Sequence, residues 1–193
     1  MFSGIIQDVG KILSIIKSDN FIRVSIQSNI KSYKIGSSIC CSGICLTVTS
    51  KSNKNTFTVD VSPETLEKTN ANSWIKGMTI NIENSLKLGD EISGHFVFGH
   101  IDEIGQLKSI KEVSNCWLIK IQIPQNLKKF MVQKGSVSLN GVSLTINKIV
   151  GGVIELMLIP HTYKNTTFSN LKQNDLINIE VDMLARYSLS RSK

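Results

Sequence analysis

Aromatic residues make up only 6% of the chain, and arginine occurs only at Arg23, Arg186 and Arg191. Proteins that grip nucleic acid concentrate cations on one face and interleave aromatics for stacking. Here the net charge of +7, from 22 basic against 15 acidic residues, comes from lysines scattered without any basic block. A lysine-rich solvated surface accounts for it more simply, so no nucleic-acid partner is expected. No uncharged apolar run approaches the roughly 20 residues that cross a bilayer, and Met1-Phe2-Ser3-Gly4 lacks the basic start of a signal peptide. A soluble cytoplasmic protein is expected, with no membrane partner. The four cysteines, Cys40, Cys41, Cys45 and Cys116, contain no CxxC pair and no zinc-like spacing, so reduced thiols and no metal are expected. Parity along one extended strand sets Cys40 and Cys41 on opposite faces and assigns Cys41 to the face of Cys45.

What the chain does contain is a repeat. Gly43-Ile44-Cys45-Leu46-Thr47-Val48 occurs again as Gly141-Val142-Ser143-Leu144-Thr145-Ile146, a shift of 98 (141 minus 43), about half of the 193 residues. Lys76 to Glu83 matches Gln173 to Glu180 at a shift of 97, as Pro63-Glu64-Thr65 matches Pro160-His161-Thr162. Phe2-Ser3-Gly4-Ile5-Ile6 aligns with Val97-Phe98-Gly99-His100-Ile101 at a shift of 95. Four ordered, collinear matches make the chain a tandem duplication of units of roughly a hundred residues. At 41% hydrophobic it can bury two modest cores. In the core stretch Ile44, Leu46 and Val48 alternate with Cys45, Thr47 and Thr49, as Val142, Leu144 and Ile146 alternate with Ser143, Thr145 and Asn147. Each strand should bury its apolar face and present a row of small hydrogen-bonding side chains.

In chain order, strands are expected over Met1 to Val9, Lys11 to Ile16 and Phe21 to Ile26, with a turn at Ser18-Asp19-Asn20. A continuous strand follows from Ser38 to Thr49, then a polar hairpin loop at Lys51 to Asn55 and a return strand from Thr56 to Val61. Ser62 before Pro63 reads as an N-cap ahead of a helix through Lys68. Ile80 to Glu83 closes the first half, and Asn84 to Glu91 links the halves without a low-complexity spacer, so they should lie close together. The second half repeats the order, with strands at Phe96 to Ile104, Trp117 to Ile123, Val137 to Asn147, Val153 to Ile159 and Leu176 to Val181. Six short strands and one helical turn per half argue for an all-β chain of two tandem six-stranded antiparallel barrels. The expected units are 1–90, 91–182, and a short C-terminal helix and tail at 183–193. Asp182 caps that helix, and its stripe of Met183, Leu184 and Tyr187 needs a partner surface, either its own barrel or another subunit.

Met1 to Ile6, Ser42 to Thr49, Gly94-His95-Phe96-Val97-Phe98-Gly99-His100, Gly141 to Thr145, Leu158 to Thr162 and Asn178 to Asp182 together closely resemble the riboflavin synthase alpha chain family, over residues 1 to about 187. The resemblance implies Greek-key barrels assembled as a homotrimer. It implies a dismutation in which two molecules of 6,7-dimethyl-8-ribityllumazine exchange a four-carbon unit, giving riboflavin and 5-amino-6-(D-ribitylamino)uracil without metal or redox cofactor. It further implies an active site where the N-terminal barrel of one subunit meets the C-terminal barrel of its neighbour, and leaves open an association with lumazine synthase.

By resemblance, the N-terminal pocket takes Gly4, Ile5, Ile6, Cys45, Leu46, Thr47, Asp60, Val61, Ser62, Pro63, Glu64 and Thr65. The C-terminal pocket takes Gly99, His100, Ile101, Lys134, Ser143, Leu144, Thr145, Met157, Leu158, Ile159, Pro160, His161 and Thr162. Backbone amides at the Pro63 and Pro160 turns could hold pteridine oxygens. The copies differ at Ile5 against His100 and Cys45 against Ser143, so the two pockets take complementary roles. His100 either moves a proton at the acidic methyl of one lumazine or only orients substrate. His95, five positions earlier, should face the other side. Cys45 either adds to the ring or lines the pocket; Ser143 and Thr145 hydrogen-bond the ligand or a hydroxide more readily than they attack. Phe98 stands where the family commonly has a small residue, and Glu103-Ile104 replaces an Asp-Gly context. Competing readings are a non-catalytic lumazine- or flavin-binding protein, which would lose pocket residues in one half, and a double barrel for nucleic acid. Retention of Thr47, Thr145, Cys45, Ser143 and His100 favours the enzyme.

Overall fold

The computed structural model describes residues 1–18, 20–30, 33–52 and 55–190. Asp19 of the expected turn, positions 53 and 54 of the expected hairpin loop, and the tail at 191–193 lie outside the described residues. The first half runs β1 (Asp8–Lys17), β2 (Ile22–Gln27), β3 (Ser38–Cys41), β4 (Ile44–Ser52), β5 (Thr56–Val61), α1 (Pro63–Lys68) and β6 (Thr79–Asn84). The second runs β7 (Glu103–Val113), β8 (Cys116–Gln122), β9 (Ser136–Leu139), β10 (Val142–Val150), β11 (Val153–Leu158), α2 (Pro160–Lys164) and β12 (Leu176–Val181), followed by α3 (Met183–Ser190). The strands close into two barrels of one order, β1-β2-β5-β4-β3-β6 and β7-β8-β11-β10-β9-β12. Closure leaves no free sheet edge. Both barrels break register at matching places, between Ile12 and Ser14 as between Leu107 and Ser109, and between Val48 and Ser50 as between Ile146 and Lys148. Such bulges supply the extra twist that closure of so few strands needs.

The period-two pattern sets the cores. In β5, Phe57, Val59 and Val61 are buried while Thr56, Thr58 and Asp60 face outward. Ile12, Val24, Ile26, Ile39, Leu46 and Val48 join them in one core, and Leu107, Ile119, Ile121, Ile146, Ile154 and Leu156 lie in the other. Each such side chain contributes roughly 1.5–3 kcal/mol by leaving water. Ser62 caps α1 as expected, its hydroxyl accepting from the Thr65 amide at 3.2 Å.

Three local expectations are corrected. Residues Met1 to Gln7 are not a strand, apart from a bridge between Phe2 and Val97. The expected strand from Phe96 begins only at Glu103. In both runs a left-handed glycine, Gly4 or Gly99, turns the chain out of extended geometry. Third, Ser38 to Thr49 and Val137 to Asn147 are hairpins rather than single strands: Ser42-Gly43 (φ 47° and 86°) and Asn140-Gly141 (φ 47° and 81°) are two-residue turns with both central residues left-handed. The turn pairs Cys40 with Cys45 and Cys41 with Ile44. Cys40, not Cys41, therefore shares the face of Cys45, because the parity count ran through a turn; Cys41 points into the first core.

Two asparagines join the barrels in a crossed clasp. Asn81 of β6 donates to the Asn140 carbonyl (2.9 Å) and accepts from the Thr167 amide (2.8 Å). Asn178 of β12 donates to the Ser42 carbonyl (2.8 Å) and accepts from the Asn70 amide (2.7 Å). Each thus satisfies a hairpin-turn carbonyl and a 3-10 turn amide of the other barrel, and both are fully buried. At the C-terminus the Asp182 carboxylate accepts from the Leu184 amide at 2.9 Å, and Arg186 pairs with Asp102 and lies over Phe130. Leu184 and Tyr187 stay 66% and 65% exposed, so within one chain the expected stripe is not covered. Among the described residues no helix is long and apolar enough to cross a membrane.

Removing one side of the clasp strands buried groups on the other barrel. Asn178→Ala is expected to lower unfolding free energy by about 2–4 kcal/mol, measured by denaturant titration; a loss within the range of exposed-surface substitutions would show that the clasp is not holding the barrels.

Candidate functional site

The site is assembled around two buried carboxylates. Glu83 in β6 and Glu180 in β12 each sit two residues after the clasp asparagine of the same strand and are 1% and 2% exposed. Glu83 accepts from the Ser3 amide (2.8 Å), the Ser3 hydroxyl (3.0 Å) and the Gly4 amide (3.1 Å). Glu180 accepts from the Phe98 amide (2.7 Å) and the Gly99 amide (2.8 Å). Burial pushes both carboxyls up, against these donors, and carries Glu180 to about 7.

Each carboxylate anchors the irregular segment that precedes its own barrel and hands it to the other barrel. The Gly4 carbonyl accepts from the Ser143 amide at 2.8 Å, and the Gly99 carbonyl from the Cys45 amide at 2.9 Å. A Cβ at Gly4 would lie 2.6 Å from the Ser143 Cβ, and one at Gly99 2.6 Å from the Cys45 Cβ, so only glycine allows either approach. Phe2 and Val97 bond reciprocally where the two segments pass (2.7 and 3.0 Å). Gly4-Ile5-Ile6 therefore lies with the second barrel and Gly99-His100-Ile101 with the first, the reverse of the grouping expected from chain order.

Two composite clefts result. In the first, of about 260 Å³, Cys45 meets Gly99, His100, Ile101, Glu64, Thr65 and Lys68. In the second, of about 460 Å³, Ile6 meets His161, with Asp8, Lys164 and Asn165 along the wall. Ser143, which matches Cys45 in the repeat, holds the Gly4 segment through its amide, and its hydroxyl lies 2.7 Å from His95 Nδ1. His95 is buried, its amide donates to the Ser3 carbonyl (3.1 Å), and burial lowers its pKa, partly opposed by the charge of Asp182. A neutral imidazole beside a serine hydroxyl can accept or relay its proton.

The remaining expected residues fall as follows. Thr47 and Thr145 are exposed at matching places, opposite Ser38 and Ser136. Leu46, Val61 and Leu158 point into the cores and can offer a ligand only backbone, while Leu144 is half-buried against the second core. Ile5, Met157 and Ile159 are exposed apolar residues. Asp60 is held by Arg23 through two bonds of 2.7 and 2.8 Å. Pro63 and Pro160 begin their helices, but Ser62 caps α1, whereas Ile159 gives α2 no side-chain cap. The Thr162 carbonyl accepts from the Thr166 hydroxyl (2.8 Å). Lys134 occupies a left-handed turn, its amide bonded to the Ile146 carbonyl (2.7 Å). Phe98 is half-buried, its ring 6.2 Å from that of His100. Cys40 lies beneath Cys45 with Phe2 and Val97, its thiol pKa raised by burial.

Sequence reasoning missed His95, because at a shift of 95 its counterpart would precede Met1 and the repeat offers no comparison. It also missed the anchoring glutamates, although the shared Ile-Asn-Ile-Glu run at Ile80 to Glu83 and Ile177 to Glu180 was the available signal.

Two unequal clefts on a duplicated barrel define a tandem lumazine-binding protein: the lumazine binding domain model matches residues 3–85 and again 98–182. Riboflavin synthase of Brucella abortus (strain 2308) is 39% identical over 194 residues, covering 97% of this chain and 96% of the relative. That of Bacillus subtilis (strain 168) is 39% identical over 189 residues, covering 97% and 87%. LumP solved in complex with riboflavin shares the fold, with a TM-score of 0.86 at 24% identity over 94% of this chain and 99% of that one. The chain belongs to the riboflavin synthase family, a family of transferase enzymes.

The elevated Glu180 pKa has a signed consequence. Between about 4.5 and 7 the folded chain holds a proton there that the unfolded chain lacks, so this contribution is full below pH 4.5 and lost as pH rises through 7. The lowered His95 works in the opposite sense, its contribution being lost as pH falls. The difference in unfolding free energy between the native chain and Glu180→Gln isolates the glutamate. It should shrink by about 2–3 kcal/mol from pH 5 to pH 8; a flat difference curve would place the titration elsewhere.

Proposed function

We propose that the chain catalyses the dismutation of two molecules of 6,7-dimethyl-8-ribityllumazine to riboflavin and 5-amino-6-(D-ribitylamino)uracil. The observation that carries this reading is the pair of related but unequal clefts. One offers Cys45 with His100, the other His161 beside Asp8 and Lys164, and at the place in the second barrel that matches Cys45 stands Ser143 bonded to His95. Two identical substrates that must act as donor and acceptor require sites alike enough to bind both and different enough to assign opposite roles. The relatives' name supports the reading, as do the ligands of a solved neighbour: LumP was solved both with riboflavin and with 6,7-dimethyl-8-(1'-D-ribityl) lumazine.

In this reading each composite cleft takes one lumazine. Gly99 to Ile101 and Glu64-Thr65 frame the first ring system, and Gly4 to Ile6 and the Met157 to Thr162 run frame the second. Opposed placement supplies much of the rate. His100 moves the proton at a lumazine methyl, Cys45 lines or attacks the ring from the same cleft, and Thr47 and Thr145 bond the ligands. Ser143, with its proton controlled by His95, bonds the second ligand or a hydroxide. The clefts face one another between neighbouring subunits of a homotrimer, for which the exposed Leu184 and Tyr187 of α3 provide an apolar contact. The carrier alternative predicts one tightly held ligand and no turnover; polar side chains kept in both clefts favour catalysis.

Purified protein of measured oligomeric mass, given the dimethyl ribityllumazine alone, should yield riboflavin and the uracil in equal amounts; none after long incubation with folded protein would end this reading. His100→Ala and Ser143→Ala should each lower kcat by about a hundredfold or more while changing KM far less. An effect confined to KM would leave these residues an orienting role only.

A further inference from the structure

The two barrels differ at one place unconnected with either cleft above. In the second barrel Trp117 and Tyr163 stack at 3.7 Å with planes 9° apart, packed against the core that holds the buried Phe168. Their counterparts are small. Ile22 pairs with Val61 as Trp117 pairs with Leu158; Leu66 lies three residues after Pro63 as Tyr163 lies three after Pro160; Ala71 is second in its 3-10 turn, as is Phe168. What the aromatic side chains fill in one barrel stays open in the other. The first barrel carries there a cleft of about 720 Å³, walled by Ile15, Ile22, Leu66, Ala71 and the buried Trp74. Lys17 and Lys76 stand on its lining, and no acidic side chain does among the described residues. Helix α1 separates it from the Cys45 cleft: Glu64, Thr65 and Lys68 line that cleft, Leu66 this one.

We propose that this cleft binds a small planar aromatic anion, its rings taking the place that Trp117 and Tyr163 occupy in the second barrel and its acid group held by Lys17 and Lys76. The volume lies within the range of small-molecule sites, and the lining combines apolar side chains with a few polar groups, among them Ser14 and Asn72. A ring laid against Trp74 gains the contacts that an aromatic neighbour gives its counterpart stack. The lysines make the site selective for acids and its affinity dependent on ionic strength. The site is independent of the lumazine reaction, and its test reads binding rather than turnover.

The probe is anilinonaphthalene sulfonate, titrated into the native full chain, with naphthoate as a non-fluorescent aromatic carboxylate competitor. Expected are saturable binding of one probe per chain, displacement by naphthoate but not by excess lumazine, and quenching that Trp74→Phe removes. The double variant Ile22→Trp with Leu66→Tyr rebuilds the second barrel's stack and should weaken binding about tenfold or more while riboflavin formation stays unchanged. Lys17→Gln with Lys76→Gln keeps the walls and should weaken binding several-fold and flatten its salt dependence, so the question is decided even if the filled variant fails to fold. Absence of saturable binding, binding indifferent to both double variants, or displacement of the probe by lumazine would overturn the proposal.

Discussion

The structure depends on two carboxylates taken out of water. Glu83 and Glu180 lie at the same place in the last strand of each barrel, and each spends its acceptor capacity on the amides of a short irregular segment. Burial alone would make such groups costly; donors at charge-assisted distances offset that cost and fix the segment in the process. With the amides held, Gly4 and Gly99 are presented to the opposite barrel at a separation that admits no side chain. The candidate site follows from that contact.

The exchange makes each cleft the joint property of both halves. Gene duplication gives two copies of one barrel, but copies that merely sat side by side would offer two equivalent pockets. Here the segment leading into one barrel completes the other, so Ile5 and His100, which differ between the copies, are carried to opposite barrels with different neighbours. The Asn81 and Asn178 clasp holds the barrels in the mutual orientation that the exchange needs. Rigid positioning of this kind suits a reaction whose main requirement is the relative placement of two bound molecules.

The same duplication lets the halves diverge away from the clefts. A stacked Trp117 and Tyr163 consolidates the second barrel, while the first carries smaller residues and a large lined opening. The first barrel finds aromatic packing elsewhere, where Tyr33 lies against Phe57 at 5.1 Å. Barrels of identical strand order thus distribute core volume differently without losing closure.

Much was legible in the residues themselves. The repeats at shifts of 95 to 98 and the period-two alternation specify two six-stranded units, because a barrel strand buries every second side chain and duplicated strands keep that pattern. Ser62 before Pro63 marks a helix start for an equally local reason. The hairpin turns at Ser42-Gly43 and Asn140-Gly141 were legible too, since Asn-Gly between alternating segments favours a two-residue turn, and a parity count carried straight through them reverses the cysteine faces. The pairing of His95 with Ser143, the seating of Gly99 on Cys45 and the burial of Glu83 and Glu180 belong to tertiary structure alone. They join residues tens of positions apart through contacts between barrels, and no period within a strand records which barrel a crossing segment will reach.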